Sequence, residues 1–132
     1  MSIYLICIAM LGLLCLGLGF NVSMIRAKSS TLYGGESDPE SKLYQAQRAH
    51  GNTIEYAPIL AVMIFALGQS PQPNWVLCSM VAVTFFRYLF VLGILLPATM
   101  NEINPLRFIG SLGTFLLGFV LVAALFIQAV NA

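Results

Sequence analysis

The chain has 132 residues, of which 59% are hydrophobic and only 8% are charged, and its formal net charge at pH 7 is +1. A composition this apolar excludes an ordinary soluble domain and predicts an integral membrane protein. The near-neutral charge gives no reason to expect nucleic acid or an acidic protein as a partner. His50 is the only histidine, and Cys7, Cys15 and Cys78 lie in apolar runs without the spacing of metal ligands. We therefore expect no metal site, no disulfide, and thiols that are reduced and buried.

The apolar segments are long enough to cross a membrane. Residues 3–24 form the first, close to the roughly 20 residues that span a hydrocarbon core of about 30 Å. A cleaved signal peptide is the weaker alternative, because no basic residue precedes Ile3 and no small-residue cleavage motif precedes Arg26. We predict an all-α integral membrane protein in which residues 1–132 form one domain, a bundle of four transmembrane helices. The predicted helices cover about 3–24, 44–67, 75–96 and 106–130.

The distribution of basic residues orients this bundle. The polar segment 27–43 and the loop 97–105 are flanked by basic residues, whereas the turn 68–74 carries no charge. By the positive-inside rule, the first and third loops are cytoplasmic and both termini lie on the other side of the membrane. The host is then a bacterial inner membrane or the endoplasmic reticulum. The basic residues concerned are Arg26, Lys28, Lys42, Arg48 and Arg107.

Small residues recur in the first and fourth helices, at spacings that allow helices to approach closely in a membrane. For the first helix, simple tolerance of glycine on a lipid-facing surface explains the pattern equally well. For the fourth helix, we favour a helix contact. The first set is Gly12, Gly17 and Gly19, and the second is Gly110, Thr114 and Gly118.

The start of the second helix, YQAQRAHGNTIEYAP at residues 44–58, is unusually polar for a membrane segment. Arg48, Asn52, Glu55 and Tyr56 are spaced i, i+4, i+7 and i+8, which places them on one face of a helix. Glu55 lies roughly 10 Å deeper than Arg48, at about 1.5 Å per residue. A carboxylate at that depth needs a partner, a hydrated cavity or a ligand, because burying it alone is costly.

Four arginines accompany this one carboxylate near the cytoplasmic boundary. Arg26 ends the first helix, Arg48 lies in the second, Arg87 interrupts FFRYLF in the third, and Arg107 opens the fourth. The excess of positive charge suits an anionic ligand, since a planar guanidinium binds carboxylates or phosphates at two points. The alternative is that Arg26, Arg48 and Arg107 are only anchors at the membrane boundary. That alternative does not account for Arg87 and Glu55, which need each other or a ligand.

The string RAHGNTIEYAP at residues 48–58 closely resembles the helix-two signature R-A-x-x-N-x-x-E-x-x-P of the membrane-associated proteins in eicosanoid and glutathione metabolism, the MAPEG family. The length, the number of spans and the arginines in helices three and four are also similar, so the resemblance covers nearly the whole chain. It implies a homotrimer with glutathione in a cleft between neighbouring subunits, open to the cytoplasm. A hydrophobic second substrate would reach this cleft from the bilayer.

The resemblance also implies how glutathione is bound. Arg48 would bind a carboxylate, Asn52 the peptide backbone, and Glu55 the ammonium group of the γ-glutamyl part. Tyr56 would make a further polar contact. These roles follow the positions of the signature in this chain.

The remaining arginines complete the implied site. Arg26 and Arg87 would add cationic contacts to the tripeptide, and Arg107 matches the helix-four arginine that holds the thiolate. Arg107 is therefore the expected catalytic residue. Glutathione would be a co-substrate, and the protein a transferase or peroxidase acting on hydrophobic electrophiles or lipid hydroperoxides.

The chain departs from the family pattern at positions expected to lie near the sulfur of glutathione. Several family enzymes have tyrosines three and seven residues after the helix-three arginine, where this chain has Phe90 and Ile94. The serine or tyrosine shortly after the helix-four arginine is replaced as well, by Phe108 and Ser111. These departures support an alternative, a non-catalytic lipid-binding or scaffold protein similar to the five-lipoxygenase activating protein.

A small multidrug transporter is disfavoured, because such transporters rely on an acidic residue within helix one and residues 3–24 contain none.

Overall fold

The computed structural model describes residues 2–34 and 37–131 and contains four α-helices within them. The helices are α1 (Ile3–Ser29), α2 (Lys42–Leu67), α3 (Asn74–Leu95) and α4 (Pro105–Val130). No strand occurs in these ranges, so the predicted all-α bundle is confirmed. Residues 35 and 36 of the predicted polar loop lie outside the described part of the chain.

Three of the helices, α1, α3 and α4, are long and apolar enough to cross a membrane. The remaining helix, α2, has 26 residues and packs against each of the other three helices. Its first half carries the charged and amide side chains that lower its hydropathy. α1 and α4 make no contact with each other among the described residues, since α2 and α3 lie between them.

The first helix is longer than predicted. It continues beyond residue 24 to Ser29, because polar side chains in its last turns bond back to the helix, as Ser29 Oγ does to the carbonyl of Ile25 at 3.0 Å. Ser30 then ends the helix in the left-handed conformation, with φ 55°. Arg26 is therefore part of the last turn, where a cation is favoured by the helix dipole.

Side-chain caps fix where α2 and α4 begin. The hydroxyl of Ser41 accepts from the backbone N–H groups of Leu43 and Tyr44, so α2 starts two residues earlier than predicted. Asn104 caps α4 in the same way through its side-chain oxygen, and proline occupies the first helical position. Such caps satisfy N–H groups that a helix leaves unpaired at its start.

Glycines let α3 and α4 pack backbone to backbone. A methyl group at Gly93 would clash with the backbone of Arg107, and one at Gly110 would clash with the backbone of Phe90. The predicted contact face of α4 is therefore confirmed at Gly110, whereas an added methyl group at Gly118 would make only an ordinary contact with Leu60, at 3.8 Å.

In α1, the glycines behave differently from one another. An added Cβ at Gly12 or Gly17 would meet no atom within 4 Å in the single chain, whereas one at Gly19 would lie 3.2 Å from Nε2 of His50. Only Gly19 thus serves a helix contact within the described chain.

The three thiols differ in burial. Cys7 is buried, Cys15 is half-buried and Cys78 is exposed on the outer surface of α3. The expectation of three buried thiols was therefore wrong for Cys78.

The apolar core consists of two clusters along the bundle. The larger one lies toward the 68–73 turn and the smaller one toward the first and third loops. Arg87 falls between them along α3. The larger cluster includes Leu11, Leu60, Ile64, Leu67, Met80, Val83 and Leu121, and the smaller includes Leu14, Leu18, Ala49, Phe90, Val91 and Ile94.

Candidate functional site

The predicted polar face of α2 lies at the surface of the single chain. Arg48 and Glu55 are exposed, and Asn52 and Tyr56 are half-buried. The opposite side of the same turns is packed into the core, where Ala49 and Ala57 are fully buried. Residues of this one helix therefore present a cation, an amide, a carboxylate and a phenol side by side.

Arg87 lies directly beneath this face. Its side chain is only 1% exposed, which makes it the largest of the fully buried side chains in the described chain. Nη2 donates to Oδ1 of Asn52 at 3.0 Å and to Oγ1 of Thr53 at 3.4 Å. The sequence predicted that Arg87 and Glu55 need each other or a ligand, but these acceptors are a neutral amide and a hydroxyl. The structure thus brings Arg87 and Asn52 together and leaves Glu55 at the surface.

Aromatic rings enclose the guanidinium of Arg87. Its Cζ lies 5.4 Å from the ring centre of Tyr56 and 4.9 Å from that of Phe90, distances at which a cation is attracted to a π face. Tyr56 in turn packs edge-on against Phe115, with 5.4 Å between ring centres. Side chains of α2 and α3 therefore surround one buried charge, and α4 packs behind the tyrosine.

Two members of this group were missed by the sequence reasoning. Thr53 is fully buried, and its hydroxyl accepts from Arg87. Phe90, considered only as a missing tyrosine, contributes a ring beside the guanidinium. The spacing of three residues between Arg87 and Phe90 puts them on one side of α3, a signal that was present in the sequence.

Arg107 occupies the first turn of α4 and is half-buried. Nη1 donates to the carbonyl of Met100 at 3.3 Å and lies 4.0 Å from the sulfur of the same residue. Its side-chain hydrogen bonds within the described residues go to Met100 alone. A guanidinium has five N–H donors, so most of them stay available to a ligand.

Arg26 holds the beginning of the first loop. Its Nη2 donates to the carbonyl of Gly34 at 2.7 Å, and Nε2 of Gln47 donates to the same oxygen at 3.2 Å. The loop is thereby fastened to both α1 and α2. Arg26 and Arg107 are thus each bonded to a loop carbonyl. In the described part of the chain, no hydrogen bond joins either of them to Arg87, Asn52 or Thr53.

A polar clasp, which we define as the side chains of Lys42 and Gln45 with the carbonyls they bind, joins α2 to the end of α3. Gln45 is buried, and its Nε2 donates to the carbonyls of Ile94 and Pro97 at 2.6 and 2.8 Å. Nζ of Lys42 donates to the carbonyl of Ala98 at 2.9 Å and to Oε1 of Gln45 at 3.1 Å. The clasp therefore fixes the start of the loop that leads to Arg107.

Apolar grooves flank the polar residues. One of about 290 Å³ lies between α2 and α4 and is lined by Tyr56, Leu60, Phe115 and Phe119, among others. It begins at the phenol that contacts Arg87. A second groove, of about 420 Å³ between α1 and α3, is lined by apolar side chains together with Thr84 and Tyr88. The hydroxyl of Tyr88 donates to the carbonyl of Met10.

Residues 4–130 of the chain match the sequence profile of the MAPEG family. No curated protein and no solved structure gives a significant match. Because the family model covers nearly the whole chain, the protein belongs to the MAPEG family and is an integral membrane protein. The family includes glutathione transferases and peroxidases as well as non-catalytic members.

Proposed function

We propose that this MAPEG protein is a membrane-bound glutathione-dependent transferase or peroxidase that acts on hydrophobic electrophiles or lipid hydroperoxides. The observation that carries the proposal is the polar face of α2. Within a mostly apolar bundle, this face presents Arg48, Asn52 and Glu55 at the surface, with the buried charge of Arg87 directly beneath Asn52. A polar surface of this kind is costly next to lipid and suits a polar ligand.

The chemistry of glutathione complements this face. The tripeptide carries two carboxylates, one ammonium group and two amides. Arg48 supplies a two-point donor for a carboxylate, Asn52 a side-chain amide for the peptide, and Glu55 an acceptor for the ammonium group. Tyr56 adds a phenol at the inner end of the face.

Arg107 stabilises the thiolate in this proposal. A thiol of ordinary pKa is mostly protonated at neutral pH, and each unit by which its pKa falls requires about 1.4 kcal/mol of differential stabilisation. A partly desolvated guanidinium supplies stabilisation of that size. The half-burial of Arg107 and its unused N–H donors support this role.

The reaction follows from the thiolate. The thiol proton leaves to water, the sulfur attacks an electrophilic carbon, and the new S–C bond replaces the bond to the leaving group, which departs with its electron pair. With a hydroperoxide, the sulfur attacks the terminal oxygen, the O–O bond breaks, and the leaving alkoxide takes a proton from water. The products are the sulfenic acid of glutathione and an alcohol. A second glutathione then converts the sulfenic acid to a disulfide and water.

We further propose that the site is completed by a second copy of the chain in a homotrimer. Arg26 belongs to α1 and Arg107 to α4, and these helices do not touch within the described chain. Both arginines nevertheless lie at the end of the bundle that carries the first and third loops, which we place in the cytoplasm with both termini opposite. A neighbouring subunit would bring its Arg26 toward this face. The apolar groove beside Tyr56 is a route for a hydrophobic substrate from the bilayer.

A non-catalytic lipid-binding scaffold is the second candidate. The observation in its favour is that Phe90, where several family enzymes have a phenol, packs on Arg87 and offers no hydroxyl. Titration calorimetry with glutathione in detergent separates the two candidates. The proposal predicts binding, together with conjugation of a hydrophobic electrophile by the same preparation. Absence of both heat and thermal stabilisation by glutathione would favour the scaffold.

A further inference from the structure

Arg87 is more confined than a ligand-binding arginine needs to be. It is 1% exposed, its Nε is buried and has no acceptor among the described residues, and Nη2 bonds to Asn52 and Thr53. The rings of Tyr56 and Phe90 lie against the guanidinium. The side chain therefore cannot turn outward to a ligand without losing these contacts.

The bond from Arg87 determines which way the Asn52 amide faces. An arginine side chain only donates hydrogen bonds, so the atom of Asn52 that lies 3.0 Å from Nη2 must be the oxygen. The amide nitrogen Nδ2 is then directed away from Arg87. Since Asn52 is half-buried on the polar face, this nitrogen is the part of the amide that a ligand meets.

We propose that Arg87 is a positioning residue that holds the Asn52 amide as a hydrogen-bond donor, so that the ligand atom at this position must be an acceptor oxygen. This inference rests on the proposed glutathione function. It assigns the oxygen to a carboxylate or a peptide carbonyl of the tripeptide. Arg87 acts through Asn52 and does not touch the ligand.

The fixed amide also gives the face a direction. Glu55 lies three residues after Asn52 on the same side of α2 and accepts hydrogen bonds. With Asn52 held as a donor, the face offers a donor followed by an acceptor, which matches an oxygen followed by an ammonium group. A flipped amide would offer two acceptors and repel the oxygen. Arg87 thereby selects the orientation of the bound tripeptide.

A double-mutant cycle tests this role. The dissociation constant of glutathione is measured by calorimetry in detergent for the wild type, Arg87→Met, Asn52→Ala and the double variant. Each single change is expected to weaken binding about tenfold, the loss of roughly one hydrogen bond to a charged ligand. The double variant is also expected to bind about tenfold more weakly, because both changes remove the same contact. Arg87→Lys keeps a donor and is expected to recover most of the affinity.

Losses that multiply to about a hundredfold in the double variant would mean that Arg87 binds glutathione independently, and would overturn the positioning role. An unchanged affinity in Arg87→Met would overturn it as well. If the wild type itself does not bind glutathione, the proposed function fails and this inference with it. Failure of the positioning role, in a protein that still binds glutathione, is therefore distinguishable from failure of the proposed function.

Asn52→Asp provides a second test that leaves Arg87 in place. The aspartate has the same shape but only accepts, and it would pair with Arg87. We expect the ligand-free protein to melt at a higher temperature while glutathione binding falls at least tenfold. Wild-type affinity in this variant would show that no donor is needed at position 52 and would overturn the proposal.

Discussion

Two arginines on neighbouring helices are held in opposite ways. Arg87 of α3 is buried, bonded to side chains of α2 and enclosed by two rings. Arg107 of α4 is half-buried and bonded to one loop carbonyl at 3.3 Å. The first has little freedom and orients the Asn52 amide above it, whereas the second uses few of its five N–H donors within the described residues. In the proposed function, Arg87 organises the binding site and Arg107 stabilises the thiolate.

The position of Arg107 depends on the backbone around it. α4 starts where Gly93 of α3 allows its first turn to come into contact. The loop before it is bound to α2 by the polar clasp and to the first loop by the Met100 N–H, which donates to the carbonyl of Pro39 at 3.0 Å. The side chain of Arg107 thus makes few hydrogen bonds, whereas its backbone is held by packing against Gly93 and by the bonded loop before it.

The largest expected effect is that of Arg107→Ala on catalysis. If Arg107 lies beside a glutathione thiolate as proposed, removing this cation should lower the rate of conjugation by about 100- to 1,000-fold, as the loss of a preorganised electrostatic contact does elsewhere. Thermal stability in detergent should change little, because the side chain is held by one long hydrogen bond. Lys28→Ala is a matched control, since it removes an exposed cation of α1. Equal rates in the wild type and Arg107→Ala would contradict the assignment.

Gly93→Val should damage both stability and activity. The added side chain meets the backbone of Arg107, so α4 must shift at its first turn, and overpacking of this kind costs about 1–3 kcal/mol. The shift also displaces the guanidinium of Arg107, to which we assign the catalytic role. The free energy of unfolding and the conjugation rate are measured together. Gly118→Ala, where the new methyl group makes only an ordinary contact, should be close to the wild type in both.

Gln45→Leu tests the polar clasp. The leucine leaves the buried carbonyls of Ile94 and Pro97 without their donor, and an unsatisfied buried group costs about 1–3 kcal/mol. We expect a loss of unfolding free energy in that range and a smaller loss of activity. Gln47→Leu removes a more exposed hydrogen bond, from Nε2 of Gln47 to the carbonyl of Gly34, and should lower the free energy of unfolding by less. A reversed order of the two variants would show that the clasp does not stabilise the bundle.

Lys42→Met should have the smallest effect. Its exposed bond to the carbonyl of Ala98 contributes below about 1 kcal/mol, because water competes for both groups. Chemical denaturation in detergent measures the difference from the wild type. A loss as large as that of Gln45→Leu would mean that the lysine, and not the buried amide, holds the loop.

The helices and the polar face of α2 were predictable because both depend on local sequence. Long apolar runs define the spans, and the spacing of Arg48, Asn52 and Glu55 fixes their common side. The true end of α1 was missed because apolar runs do not detect serines that bond back to their own helix, as Ser29 does.

The partners of Arg87 were not predictable in the same way. They depend on how α2 and α3 are rotated and how far they slide against each other, which a single helical pattern does not encode. Glu55, as the only acidic residue of α2, was one of two expected partners of Arg87, the other being a ligand. The guanidinium bonds instead to the amide of Asn52 and the hydroxyl of Thr53. Gln45 was overlooked because a glutamine near a helix start resembles a solvent-facing residue, although it is buried.

In the proposed function, glutathione is bound as a thiolate held by Arg107. The most direct measurement is the ultraviolet difference spectrum of the thiolate when glutathione is added to the purified protein, recorded across neutral pH. We predict a thiolate band in the wild type at a pH where free glutathione is protonated, and its loss in Arg107→Ala with binding retained. A band of equal size in both proteins, or binding without any band in the wild type, would show that Arg107 does not stabilise a thiolate.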